Sequence, residues 1–285
     1  MTKITIIGNP GKHSVEKIKE WLVESFKKLG LSLEKIHLVF VGDSKQWEKL
    51  YQRYIKEVET LSTEERASRA ILYFAQVTTT GYIPDYQRKE EAPPVILIRK
   101  DSNEISEESF LDETAHILHD KSGWNKLILE ALGLIFQDYR VDWENLIQFG
   151  FFALLSHRIA DYFITETLCQ HGLFKETLKY QQKKINRWIK DEDNFLEKRV
   201  SKIEFFDHIM AAAFWSTLPS GYPKKEDEKE LEKIFIERIC QMKMESIYRK
   251  IKQAVARLES PPKVANIYAV ASEIIELAQD FLQKQ

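Results

Sequence analysis

Cysteine is almost absent. The 285 residues hold two, Cys169 and Cys240, both inside helical patterns. Two thiols exclude a disulfide framework and predict reduced side chains in a cytoplasmic protein. Ten glycines and eight prolines are too few for a collagen-like or low-complexity chain. Charge of one sign is missing too: 42 basic residues face 44 acidic ones, a net of −2. That balance gives no overall attraction to nucleic acid or to an acidic membrane. The longest apolar candidate, Phe149 to Leu155, stops at Ser156-His157-Arg158, well short of the roughly 18 residues of a membrane span. The opening Met1 to Ile7 is too short and too soon interrupted for a signal peptide. What is present is an apolar fraction of 44% with 12% aromatics, enough to bury a sizeable core.

The first third alternates strand and helix signals. Ile4 to Ile7 is a β-branched run ended by Gly8-Asn9-Pro10-Gly11. Val15, Ile18, Trp21, Leu22, Phe26 and Leu29 then recur at helical spacing, with Ser14 as N-cap and Gly30 as stop. Ile36 to Val41 reads as a second strand. A helix from about Gln46 to Leu61 and another from Ser62 to about Phe74 follow, the latter opened by a capping-box pattern. Val77 to Ile83 and Val95 to Arg99 read as hairpin-type strands on either side of a polar stretch ending in Pro93-Pro94. From Ser106 onward nearly everything is helical, with breaks expected at Gly133, Gly172, Leu218 to Pro223 and Ser260-Pro261-Pro262. The fold class is α+β: a small mixed sheet, then a mostly α-helical C-terminal part. The expected organisation is 1–105, an α/β part with the sheet; 106–175, a helical core; and 176–285, a helical C-terminal part, with 1–175 forming one domain.

Two helices carry residues of chemical interest. The first contains Leu111-Asp112-Glu113-Thr114-Ala115-His116-Ile117-Leu118-His119-Asp120. At 100° per residue Asp112, His116 and His119 fall within about 60° of one another, flanked by Glu113 and Asp120. A solvated polar face has the same spacing, but it is more often filled with Lys and Glu than with two imidazoles between carboxylates. The second helix, Phe149 to Phe163, is apolar nearly all round, which predicts burial. His157 and Asp161 stand i, i+4 on it. A buried carboxylate needs a partner or a metal, and a structural His–Asp pair, helped by Arg158, meets that need equally well.

Together, Asp112-Glu113-Thr114-Ala115-His116 and His157-Arg158-Ile159-Ala160-Asp161 resemble the zincin metallopeptidases, gluzincin branch. There one helix carries His-Glu-x-x-His and a later one Glu-x-x-x-Asp. Gly81-Tyr82-Ile83 and Val95-Ile96-Leu97-Ile98 are similar to the paired strands that precede the active-site helix of that family. The resemblance spans roughly residues 77 to 168 and departs at two positions: Asp112 stands where the family has His, and His157 where it has Glu. The set remains two imidazoles and one carboxylate.

The resemblance implies a zincin-like core holding Zn²⁺ through Asp112, His116 and His157, with His119 as rival third ligand and Asp161 supporting a ligand from behind. It implies Glu113 as general base toward metal-bound water, and hydrolysis of a peptide or protein substrate. The strand near Val95 to Arg99 is expected to be a sheet edge where an extended peptide adds. His208 and Tyr222 are the candidates for an oxyanion-stabilising group. The alternative is a zincin-like scaffold without catalysis, its long helical segment from Lys224 to Gln285 offering a partner surface. No nucleic-acid or membrane partner is expected. Gly8 to Ser14 follows a strand and precedes a helix, but it lacks the glycine spacing and the Lys-Ser adjacency of a phosphate loop.

Overall fold

The computed structural model describes the chain except for residues 1, 43–48, 51, 56–79, 84, 86–87, 101–104, 140–145, 184–201, 220–221, 224, 242–243 and 285. It divides into two compact units, Met1–Ser122 and Gly123–Gln285. The division follows the first helix of the segment expected over 106–175. The fold is α+β, with a small mixed sheet in the first unit and only helices as regular structure among the described residues of the second.

In the first unit β1 (Lys3–Ile7), α1 (Val15–Lys28), β2 (Lys35–Val41), β3 (Thr80–Ile83), β4 (Val95–Arg99) and α2 (Glu107–Ser122) follow in order. The sheet order is β1-β2-β4-β3. β1 pairs with β2 and β2 with β4 in parallel, while β3 runs antiparallel to β4 with Thr80 opposite Ile98 and Tyr82 opposite Ile96. Strand alternation sorts the side chains onto two faces. Ile36, Leu38, Phe40, Tyr82, Ile96 and Ile98 meet Ile18, Leu22 and Phe26 of α1 and Phe110 and Ile117 of α2. Val39, Val41, Ile83, Val95 and Leu97 meet Leu50 and Tyr54 on the other face. Burial on both faces is why β2 and β4 read as continuous apolar runs. Each such side chain contributes about 1.5–3 kcal/mol against exposure.

The expected strand and helix starts hold for β1, α1, β2 and β4, and Ser14 caps α1 by accepting from Lys17 N. The Gly8–Ser14 loop is shaped by backbone contacts. Gly8 has φ +87°, and a Cβ there would stand 2.6 Å from Phe40 O. Of the helix expected from Gln46 to Leu61, helical residues are described at 49–50 and 52–54. The one expected from Ser62 to Phe74, and the Val77–Thr79 start of the third strand, lie outside the described residues. One expectation is corrected: Val95–Arg99 is no edge, because β4 is flanked by β2 and β3. Among the described residues the sheet edges are β1 and β3.

The second unit contains α3 (Trp124–Asp138), α4 (Leu146–Gln170), a helical stretch over 174–183, α5 (Lys202–Ser216), α6 (Lys225–Gln241), α7 (Glu245–Val255) and α8 (Val264–Lys284). A single apolar cluster joins them, with Ile135, Phe163, Phe206, Met210, Tyr248 and Ile274 among its buried members. Phe214 is buried in the same cluster. The breaks at Gly172, Leu218–Pro223 and Ser260–Pro262 fall between helices. The break expected at Gly133 does not occur. Gly133 lies within α3, and the helix starts instead after Gly123, whose φ of +76° ends α2. The buried stripe Ile128, Ala131, Leu132 and Ile135 runs straight through Gly133. Tertiary burial outweighs the glycine penalty of about 1 kcal/mol. None of the described helices is long and apolar enough to cross a membrane.

Candidate metal centre

α2 is amphipathic in an unusual sense: its polar residues are buried along with its apolar ones. Phe110, Leu111, Ala115 and Ile117 enter the core, yet Asp112, Glu113 and His119 are only 6%, 4% and 1% exposed. The alternative of a solvated polar face does not hold for these three, and β3 lies against the helix at Glu113, His116 and Asp120. Asp112, Glu113 and His116 bring one ligand atom each to within 4.8 Å of one another. Spacings of i, i+1 and i+4 place the three on one side of the helix at successive turns.

β3 holds this face. Thr80 Oγ1 donates to Glu113 Oε1 at 2.8 Å. Two residues on, and so on the same strand face, the Tyr82 ring stacks on the His116 imidazole with centroids 6.4 Å apart and planes 22° apart. The Tyr82 hydroxyl donates to Asp120 Oδ2 at 2.5 Å and accepts from Arg88 Nη1 at 2.8 Å. Arg88 also donates to Ile83 O, and Asp85 N donates to the same Asp120 oxygen. Burial, and then the Asp120 carboxylate, push the Tyr82 hydroxyl far above its ordinary value, so it stays a donor at any physiological pH.

The donors suit a divalent cation: two carboxylates and one imidazole are all common ligands. Ligands about 2.1 Å from one tetrahedral ion stand about 3.4 Å apart. Atoms within 4.8 Å of one another would each move by up to about an ångström to close on one.

Of the site residues read from the sequence, the structure brings together Asp112, Glu113 and His116. His119 is buried on the same helix but does not join the group. His157 and Asp161 belong to the second unit, on α4, with His157 Nε2 3.9 Å from Asp161 Oδ1. Their helix was expected to bury both. Asp161 is buried, but the His157 side chain is 47% exposed. Arg158, expected to help that pair, instead meets Asp207 at 3.4 Å with its guanidinium 4.9 Å from the Trp215 ring centroid. Tyr222 donates to Asp227 Oδ2 at 3.0 Å, within its own unit.

Sequence reasoning missed Thr80, Tyr82 and Arg88. The available signal was alternation: Thr80 and Tyr82, two apart on a strand next to the metal-type helix, share a face. No family model, curated protein or solved structure matches this chain.

Proposed function

We propose that the first unit binds a divalent metal ion at Asp112, Glu113 and His116 and acts as a zincin-like, metal-dependent peptidase. The observation that carries this reading is the convergence of three ligand-type side chains, two of them buried carboxylates, on a helix that directly follows a β3–β4 pair. Bound there, a divalent cation, Zn²⁺ by the family resemblance, would polarise a scissile carbonyl and make water more acidic. Asp112 and His116 would hold it, with Glu113 beside it as a weaker contact. Glu113, oriented by Thr80 at Oε1, would take the proton from the attacking water. The site is built on the first unit alone, and His157 enters it only if the test below requires it. The free thiols of Cys169 and Cys240 support a reducing, cytoplasmic setting.

Elemental analysis of protein never exposed to chelator tests the metal. One equivalent is expected, lost in Asp112→Ala and His116→Ala. Retention in His157→Ala is expected, and loss there would return His157 to the ligand set. Glu113→Gln should keep the metal with lowered affinity and abolish peptide hydrolysis. Unchanged turnover would reject Glu113 as the base. A second reading is favoured by the single imidazole in the cluster, since zinc hydrolases rely on richer nitrogen sets: a metal-stabilised scaffold without turnover. It predicts bound metal and no cleavage in the unmodified chain.

A further inference from the structure

We infer that the edge strand β3 is the positioning element of this centre, with Thr80 setting Glu113 and Tyr82 setting His116. The inference rests on the metal-binding reading above and deepens it. A ligand or base held only by its own rotamers loses conformational freedom on engaging a metal, so outer groups that fix its orientation raise affinity. Both groups here are fixed by one strand. Thr80 donates to Glu113 Oε1 at 2.8 Å, which selects one carboxylate orientation. The Tyr82 ring lies nearly parallel to His116 and limits its rotation.

Tyr82 is itself locked at both ends. It is 6% exposed within the apolar layer beneath α2, and its hydroxyl is gripped by Asp120 from the helix and by Arg88 from the β3–β4 connection. The strand repeat of two and the helix repeat of three to four are in register here: residues 80 and 82 meet 113, 116 and 120. Thr80 and Tyr82 are positioning residues; neither is required to touch metal or substrate.

Zn²⁺ titration of the full chain by calorimetry, beside thermal denaturation of the metal-free protein, tests the inference. Thr80→Val keeps the shape of the side chain and removes the donor. It should weaken Zn²⁺ binding about tenfold or more while leaving metal-free Tm within a degree or two, and Thr80→Ser should restore affinity. Tyr82→Leu should weaken binding likewise, and Tyr82→Phe less, since the ring stays. If wild type binds Zn²⁺ and Thr80→Val and Tyr82→Leu bind equally well, the positioning role is overturned and the metal site stands. Equal loss in Thr80→Val and Thr80→Ser would assign the effect to packing and also overturn it. If wild type takes up no Zn²⁺, both the site and its positioning strand fall.

Discussion

The helices α2 and α4 present the same residue types at the same spacing and use them differently. Each carries a histidine and an aspartate four apart, Asp112/His116 on α2 and His157/Asp161 on α4. On α2 they converge with a second carboxylate under a covering strand. On α4 the histidine faces solvent beside its own aspartate, and the neighbouring Arg158 is taken up by Asp207 and Trp215. Spacing places residues on a face; the element lying over that face decides whether they form a centre or separate pairs.

The largest expected effect breaks the second unit. Asp207→Ala leaves the Arg158 guanidinium, 12% exposed, without its counter-charge, and should cost about 3 kcal/mol in urea denaturation. Unchanged stability would show that the Trp215 ring alone supports the guanidinium.

Next in size is Gly8→Ala in the first unit. The added Cβ would meet Phe40 O at 2.6 Å, and φ is +87°. Both the clash and the left-handed backbone oppose it, and a loss of about 2 kcal/mol is expected from the denaturation midpoint. A neutral result would show that the β1–α1 turn relaxes away from β2 without penalty.

Much of the first unit was legible because its signals are local. The β-branched runs of β1 and β2, the 3.6-residue stripe of α1 and the Ser14 cap each act within a few residues. The internal position of β4 was legible as well, had Val95-Ile96-Leu97-Ile98 been read as burial on two faces instead of one. The metal-type cluster was legible in its helical members, Asp112, Glu113 and His116. Its cover was not, since Thr80 meets Glu113 and Tyr82 meets Asp120 across 33 and 38 residues, and no local pattern encodes that pairing. The exposure of His157 was hidden for a related reason: Phe149 to Phe163 is apolar nearly all round, so the sequence does not mark which side faces water.

Smaller effects come from pH, where one group in each unit acts with opposite sign. Burial, and then Arg53, Lys35 and Lys3, hold His37 on β2 below its ordinary value of 6.5. Its contribution to stability is present above that value and is lost as pH falls through the lowered one. Glu166 on α4 is pushed above its ordinary 4.5 by burial, against hydrogen bonds from Gln170 and Ser260. Its contribution is complete below 4.5 and is lost as pH rises through the raised value. Thermal denaturation across pH 4–7 (values spanning about these two ranges) should show His37→Gln flattening the loss on acidification below 6.5. Glu166→Gln should raise Tm near neutrality and leave it unchanged at the acid end. A wild-type slope in either variant would remove that residue from the balance.

The smallest effect tests the element that the sequence pattern misassigned. Gly133 lies inside α3, where a Cβ would meet nothing within 4 Å. Unlike Gly8 it has no positive φ to satisfy, so Gly133→Ala should add about 0.5–1 kcal/mol by restricting the unfolded chain and favouring the helix. The gain would show that the buried stripe on either side, Ile128 to Leu132 and Ile135, holds α3 continuous in spite of its glycine. A loss would mean instead that the backbone at Gly133 has a conformation or a neighbour that only glycine accommodates, and that the break read from the sequence has a physical basis after all.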